Sequence, residues 1–223
     1  MPKDGIREHF DGIAAEYDRW KGKSAYYYRL LAGIYRERIP EGSSVLEIGC
    51  GTGTLLDALR PARGVGIDIS PRMVEIAASK FPGLSFLAAD AESFDLGETF
   101  EYIIVPDVIE HLTDVPAMFR CARKHLVRGG RLVVTSVNPR WAPVLHLAER
   151  LNMKMPEGEH RWLPAAELDR MAEAASFDPS WSGGRILCPK EVPLLSGPLN
   201  RAAERFGFLQ PACLTQVQVY SPR

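Results

Sequence analysis

The stretch VLEIGCGTGTLL, from Val45 to Leu56, decides the fold of this chain. An apolar run precedes three glycines at alternate positions, Gly49, Gly51 and Gly53, and a leucine-rich helical pattern follows them. A glycine-rich turn between a strand and a helix lets a ligand approach the backbone closely. The turn therefore predicts a ligand site at the start of the following helix.

Strand and helix patterns alternate on the C-terminal side of this turn. Short apolar runs at residues 44–49, 64–69, 84–90, 100–107 and 131–137 predict strands, and the segments between them have helical periodicity. This alternation predicts an α/β fold with a doubly wound, mostly parallel sheet that helices cover on both faces. In such sheets, ligands bind beyond the carboxyl ends of the strands.

The rest of the chain flanks this core. Helical periodicity predicts one amphipathic helix over residues 6–20 and a second over 25–39, while the final third has helical patterns at 143–151 and 165–175 and strand patterns at 183–188 and 214–220. We therefore expect a single domain over residues 1–223. It consists of a helical cap (1–42), a ligand-binding core (43–138), and a substrate cover with closing strands (139–223).

Composition and charge narrow the class of protein. The 223 residues include 27 basic and 28 acidic side chains, and this near-neutral balance argues against a nucleic-acid partner. The four cysteines are scattered, and neither a signal peptide nor an apolar run of ~20 residues is present. We expect a cytoplasmic protein without stable membrane insertion, and the oligomeric state is left open.

The glycine spacing differs from that of dinucleotide-binding proteins. Their fingerprint is G-x-G-x-x-G, but here the third glycine comes one residue early and Thr54 occupies its usual position. Glu47 lies two residues before the first glycine, where a carboxylate would repel a pyrophosphate but attract a cation. A P-loop is excluded because no Gly-Lys-Ser/Thr follows.

Two further acids end the next two predicted strands. Asp68 occupies the place where a carboxylate typically accepts both hydroxyl groups of a ribose, and Asp90 follows in LAADAE. With Glu47, these acids predict a ligand that has a positive end, a ribose and a hydrogen-bond-donating base. S-adenosylmethionine (SAM) has all three.

These segments resemble those of the class I SAM-dependent methyltransferases. The motifs VLEIGCGTG, GIDIS, AADAE and VPDVIEHLTD occur in the order and at the separations usual in that family. The resemblance is to the small-molecule group that includes the ubiquinone- and menaquinone-biosynthesis enzymes. It implies a seven-stranded sheet with an antiparallel last strand, and SAM as the cofactor.

The resemblance also implies roles for individual residues. The glycine turn would pass under the methionine moiety, Glu47 would neighbour its ammonium group, and Asp68 would lie at the ribose. Ile69, the next residue, is a further cofactor-binding candidate. Asp90 and Ala91 would contact the adenine, and Met73 would pack on its face. The segment FDGIAAEYDRW resembles a family segment whose tyrosine, here Tyr17, closes over the methionine end.

The segment PDVIEHLTD supplies the candidate catalytic residues. Asp107, Glu110 and His111 are three and four residues apart, on one face if a helical turn forms there. His111 or His160, with Asp107, could deprotonate an acceptor, although the same residues could simply brace the cofactor pocket. We expect no metal, while an alternative adds His160 or His146 to a divalent cation site.

The sequence gives the least information about the methyl acceptor. The apolar segment RILCPKEVPLLSGPLN, residues 185–200, could cover a lipophilic or sugar-linked substrate or simply pack against the core. We expect methylation of a small molecule, with oxygen the favoured acceptor atom. A methyltransferase acting on RNA or protein, or a SAM-binding protein without catalysis, is the alternative.

Overall fold

The computed structural model describes residues 3–151 and 161–223. These residues form one seven-stranded sheet with helices on both faces. The strands are β1 (Ser44–Ile48), β2 (Arg63–Asp68), β3 (Ser85–Ala88), β4 (Phe100–Pro106), β5 (Leu126–Val137), β6 (Phe177–Arg185) and β7 (Thr215–Pro222). The helices are α1 (Lys3–Ile13), α2 (Tyr17–Gly22), α3 (Ala25–Arg36), α4 (Thr54–Ala58), α5 (Pro71–Lys80), α6 (Val115–Lys124), α7 (Ala142–Arg150), α8 (Ala165–Ala174) and α9 (Ser196–Arg205). Short 3₁₀ helices span Ala14–Glu16, Ile109–His111, Pro139–Trp141 and Gly207–Ala212.

The strand order is β3-β2-β1-β4-β5-β7-β6. Strands β3, β2, β1, β4 and β5 pair in parallel, and β7 runs antiparallel to both β5 and β6. The predicted doubly wound sheet with an antiparallel last strand is confirmed. Because the strand order reverses at β1, the carboxyl ends of β1 and β4 flank the crevice where such sheets bind ligands.

The central strands are buried on both faces, which explains their continuous apolar runs. Ile103 and Val105 of β4 pack into one core with Phe119 and Tyr220, whereas Ile104 packs into the opposite core with Tyr35. Successive side chains of a strand point to opposite faces, so one apolar run supplies both cores.

The first predicted helix is divided in the structure. The single helix expected over residues 6–20 is interrupted by the 3₁₀ turn Ala14–Glu16, so that α1 and α2 are separate. The interruption lies between Asp11 and Asp18, which bond to different parts of the core. Tertiary contacts therefore override the local helical periodicity here.

Two predicted strands begin earlier than the sequence suggested. The strand expected at residue 131 begins at Leu126 and passes through Gly129 and Gly130, with a shift of register between Phe100 and Tyr102 of β4. The strand expected over 183–188 is β6, which ends at Arg185. Pro179, Gly183 and Gly184 weaken the strand pattern in the sequence, but an edge strand such as β6 tolerates them.

Side-chain caps fix the first turns of α5 and α6. Ser70 accepts a hydrogen bond from the Met73 backbone N–H at 3.1 Å, and Pro71 begins α5 as predicted. Asp114 caps α6 in the same way through the Ala117 N–H at 2.9 Å.

Within residues 3–151 and 161–223, no helix has the length and apolar character needed to cross a bilayer.

Candidate active site

A cavity of about 850 Å³ opens at the carboxyl ends of the parallel strands, beneath α1, α2, α3 and α7. Residues at or just after the ends of four neighbouring strands line it, namely Asp90 after β3, Asp68 of β2, Glu47 of β1 and Asp107 after β4. The strand order therefore brings together acids that are up to 60 residues apart in the sequence.

The glycine turn forms the floor of this cavity. Gly49 and Gly51 line it with φ of 76° and 51°, a backbone conformation that side chains disfavour. A Cβ on Gly49 would lie 2.1 Å from Cγ2 of Val108, and one on Gly51 would lie 3.0 Å from the Tyr17 ring. Gly53 is not part of this lining, and a Cβ there would meet the Phe86 ring at 2.7 Å. The packing of Phe86 therefore requires a glycine at this position, and the contact of Gly53 with a ligand stays a prediction.

Asp68 joins the glycine turn to the start of α5. Its carboxylate accepts the Gly51 backbone N–H at 2.8 Å and the Ser70 N–H at 2.9 Å. Burial raises the pKa of Asp68 despite these two hydrogen bonds. The carboxylate faces the cavity, so it can also accept hydrogen bonds from a ligand that approaches the turn.

Glu47 is a buried acid on the wall of the cavity. Its side chain is almost inaccessible, and its Oε2 atom has no hydrogen-bond partner among residues 3–151 and 161–223. Burial raises the pKa of this carboxyl to about 8, and the nearby Lys21 charge and a backbone hydrogen bond with Leu56 only partly oppose that shift. A buried carboxyl without a partner is costly, and a cationic ligand would remove that cost.

The part of the cavity next to the end of β3 contains two charged side chains that the sequence did not predict there, Lys3 and Glu92. Lys3 of α1 contacts both Asp90 and Glu92, each with an Nζ to carboxylate distance of 2.6 Å. Asp90 also accepts the Glu92 backbone N–H at 2.9 Å. Ile69, Met73 and Ala91 line this end together with Asp90. An adenine there would meet Met73 and would share Asp90 with Lys3.

The N-terminal helices are fastened over the cavity by two aspartates. Asp11 accepts the Ser70 hydroxyl at 2.5 Å, and Asp18 accepts the Thr52 hydroxyl at 2.6 Å. Asp18 also pairs with Lys80 at 2.7 Å. These contacts place the Tyr17 ring against Gly51, where it lines the cavity.

Asp107, the residue after β4, lines the cavity and is held by two hydroxyl groups. Its Oδ2 accepts the Tyr27 hydroxyl at 2.6 Å and its Oδ1 accepts the Thr135 hydroxyl at 2.9 Å. Its backbone has φ of 51°, a strained value for a residue other than glycine. Together with the hydroxyl group of Tyr35, 3.1 Å from that of Thr135, these residues hold the carboxylate in one orientation.

The other candidate catalytic residues divide into two groups. His111 lines the cavity, with the Phe10 ring edge-on at 5.2 Å, whereas Glu110 accepts the Val137 backbone N–H at 2.5 Å and thus ties the 3₁₀ turn to β5. His160 lies outside the described residues. His146 lies on α7 beside Trp162 and is 60% exposed.

The alternative prediction for Asp107, Glu110 and His111 was a divalent cation site completed by His160 or His146. Among residues 3–151 and 161–223, no group of three histidine, cysteine or acidic side chains is arranged to hold a metal ion. Asp107 and Glu110 direct their carboxylates to different partners, Tyr27 and Thr135 in one case and the β5 backbone in the other.

Sequence reasoning did not identify Lys3, Lys21 or Tyr27 as site residues. All three line the cavity, although they lie on helices of ordinary amphipathic composition. A lysine on a helix usually belongs to a solvated face, so nothing in its local pattern indicates a ligand. Only the position of these helices over the sheet shows that the three side chains line the cavity.

Apolar side chains form a further part of the cavity lining, here called the apolar lobe: Val137, Trp141, Val144, Leu145, Ala148, Trp162, Pro189 and Leu214. Three of these eight residues, Val144, Leu145 and Ala148, belong to α7. From the segment 185–200, Pro189 and Lys190 line the cavity, whereas Leu194 is 97% exposed. A substrate cover formed by this segment stays a prediction.

The residues present fit the SAM that the sequence predicts. Glu47 carries an unpartnered buried oxygen, which suits the ammonium group of an amino acid. Gly49 and Gly51 leave space that side chains would fill, and Asp68 faces that space. The cavity thus offers matched sites for a cation, a ribose and a base in the order of the strands β1, β2 and β3.

Comparisons with known proteins agree with this geometry. A family model described as a methyltransferase domain matches residues 23–179. The chain is 30% identical over 209 residues to the ubiquinone biosynthesis O-methyltransferase of Azorhizobium caulinodans, covering 81% of this chain and 83% of that protein. It spans only 64% of the corresponding Rhodopseudomonas palustris TIE-1 protein, at 31% identity.

Relatives with other acceptors are also similar to this chain. A dTDP-4-amino-2,3,4,6-tetradeoxy-D-glucose N,N-dimethyltransferase of Saccharopolyspora spinosa is 33% identical over 60% of this chain and 54% of its own length. A solved SAM-dependent methyltransferase of Thermotoga maritima, described as a possible histamine N-methyltransferase, superposes with a TM-score of 0.76 at 20% identity, covering 98% of this chain and all of that one. Oxygen and nitrogen acceptors therefore both occur among the similar proteins.

Proposed function

Because the chain belongs to the class I SAM-dependent methyltransferases, we propose that it methylates a small, largely apolar molecule at a hydroxyl oxygen. The observation that carries this proposal is that a single cavity has both kinds of lining. The residues that suit SAM and the apolar lobe line the same cavity, and Asp107 and His111 belong to that lining as well.

The protein's own residues would hold the cofactor at the strand ends. Glu47 faces its ammonium group, Asp68 its ribose, and Met73 and Asp90 its adenine. When bound, SAM supplies an electrophilic methyl group on a positively charged sulfur. The remaining task of the protein is to align an acceptor lone pair with that methyl group and to exclude water, and alignment alone can supply much of the rate.

The charged groups near the apolar lobe support oxygen as the acceptor atom. A hydroxyl group must lose its proton during methylation, so a nearby proton acceptor increases the rate. Asp107 is held by two hydroxyl donors and His111 by the edge of Phe10, so that each presents a fixed side chain to the cavity. His160 remains a further predicted candidate.

The charge around the cavity favours a small molecule over RNA. Among the described residues, five basic side chains line the cavity: Lys3, Lys21, Arg29, Arg36 and Lys190. Four of them are engaged by carboxylates, backbone carbonyls or hydroxyl groups of the protein itself. Phosphate recognition requires basic groups that remain available, and this lining offers few of them.

A panel of acceptors tests the proposal. The full chain with SAM would be offered alkyl-substituted catechols, amino-sugar nucleotides, bulk RNA and bulk protein, and S-adenosylhomocysteine release would be measured for each. We expect turnover with the catechols, with the new methyl group located on oxygen by NMR. Methylation of nitrogen alone, of macromolecules alone, or SAM binding without turnover in any class would refute the proposal.

The Asp107→Asn variant tests the proton-accepting role. Once an acceptor is known, we expect kcat to fall about 10²–10⁴-fold, the range typical of a lost acid–base group, while SAM affinity stays within about twofold. Thr135→Val is the matched control, since it removes one donor to Asp107 but keeps the carboxylate. A kcat for Asp107→Asn equal to that of the unmodified protein would exclude Asp107 as the base.

A further inference from the structure

Among the five lysines and arginines that line the cavity, Lys21 is the one whose side chain forms neither an ion pair nor a hydrogen bond with residues 3–151 or 161–223. Its Nζ lies 4.6 Å from the centre of the Tyr17 ring and 4.7 Å from that of Tyr28, and it forms no ion pair with residues 3–151 or 161–223. The other four cations of the lining have partners of their own. Lys21 is thus positioned by aromatic rings and available to an anion.

The two rings explain why this lysine points into the cavity. A lysine ammonium over an aromatic face is attracted electrostatically, and the attraction is stronger where water is excluded. Tyr17 is held against Gly51 by the docking of α2, and Tyr28 lies on α3. The lysine is therefore oriented by parts of the molecule that already form the cofactor end.

Lys21 lies at the same end of the cavity as Glu47. Its charge acts on the carboxyls of both Glu47 and Asp68 and lowers their pKa, but burial outweighs that effect for both groups. Lys21 is therefore near these acids without neutralising them. Glu47, which a ligand ammonium group can ionise, and the Lys21 ammonium group both line the cavity, and together they match the two charges of an amino acid zwitterion.

We propose that Lys21 binds the carboxylate of the methionine moiety of SAM while Glu47 faces its ammonium group. The assignment rests on SAM being the ligand of this cavity. It makes Lys21 a binding residue, and it gives the N-terminal helices a direct contact with the cofactor. The contact would form only when α2 is docked, so cofactor binding would also hold that helix in place.

Isothermal titration calorimetry with two ligands tests the proposal. S-adenosylhomocysteine carries the carboxylate, whereas S-adenosyl-3-thiopropylamine lacks only that group. We expect Lys21→Met to weaken S-adenosylhomocysteine binding by about 10- to 100-fold, as for a lost hydrogen bond to a charged group, and to leave binding of the amine within about twofold. Lys21→Arg, which keeps the charge, should retain most of the affinity.

Lys23→Met is the matched control. Lys23 also contacts an aromatic ring, that of Trp20 at 3.7 Å, but it does not line the cavity. We expect its substitution to leave both affinities unchanged. Equal weakening of both ligands by Lys21→Met, or tighter binding of either, would overturn the proposal. Failure of the unmodified protein to bind S-adenosylhomocysteine would instead overturn the cofactor assignment on which it rests.

Discussion

Replacement of Glu47 by glutamine should uncouple cofactor binding from proton release. In the free protein, burial raises the pKa of Glu47 from its ordinary value of 4.5 to about 8, so the side chain is protonated at neutral pH. A cofactor ammonium group beside it favours the charged form and lowers that pKa again. Binding below pH 8 must therefore expel a proton, and the Glu47→Gln variant has none to expel.

The size of the effect follows from the distance between the pH and the pKa. Each unit below the pKa costs about 1.4 kcal/mol to deprotonate the group, so at pH 6 the cost is about 2.7 kcal/mol. We expect the affinity of the unmodified protein for S-adenosylhomocysteine to rise by up to about 100-fold from pH 6 to pH 8 and then to level off. The direction is upward with pH because only the ionised carboxylate attracts the cation.

Calorimetry measures both parts of this prediction. Titrations at pH 6.5 in phosphate and in imidazole, whose ionisation enthalpies differ, report the number of protons released per ligand bound. We expect nearly one proton for the unmodified protein and close to none for Glu47→Gln. The amino group of the ligand titrates identically in both experiments, so the difference between the proteins belongs to Glu47.

Two results would contradict the predicted proton release from Glu47. One is an affinity of the unmodified protein that does not change between pH 6 and pH 8, which would mean that Glu47 is already ionised in the free protein. The other is an equal pH dependence in Glu47→Gln, which would assign the proton to another group. At pH 8.5, where both effects are absent, Glu47→Gln should still bind more weakly by about 10- to 100-fold through the lost charge interaction.

Two further predictions concern the floor of the cavity. Asp68→Ala should weaken the binding of S-adenosylhomocysteine and of 5′-methylthioadenosine equally, by about 1–3 kcal/mol, because the ribose hydroxyl groups of both ligands lose their acceptor. Calorimetry that shows unchanged dissociation constants would exclude Asp68 from the ribose site. Gly49→Ala should lower the free energy of unfolding by about 2–5 kcal/mol, since the new Cβ is strained by a positive φ and meets Val108 at 2.1 Å. Gly97→Ala is its control in thermal unfolding, with φ of 65° but open space around the Cβ, and an equal loss in both variants would remove the steric part of the argument.

The strands and the acids that end them were readable from the sequence because their signals are local. Apolar runs, the glycine turn and the Ser70-Pro71 cap each depend on a few neighbouring residues, and the structure confirms the sheet they predict. Parallel strands in a doubly wound sheet present their carboxyl ends on one edge, so the sequence alone predicts that Glu47, Asp68 and Asp90 lie at one site.

The N-terminal segment shows where local signals fail. Its periodicity predicts one helix, but Asp11 and Asp18 bond to separate parts of the core and the helix is interrupted between them. Such bonds join residues 34 and 59 positions apart, and no pattern within the segment encodes them. The placement of α1 and α2 over the cavity therefore depends on long-range contacts.

The fold class and the order of the acids along the strands could be predicted from the sequence because strand and turn preferences act over a few neighbouring residues. The walls of the cavity depend instead on how distant helices pack on the sheet. Lys3, Lys21 and the apolar side chains of α7 therefore became part of the cavity lining only in the folded chain. The local pattern around Lys21 does not show that packing places the rings of Tyr17 and Tyr28 beside its ammonium group.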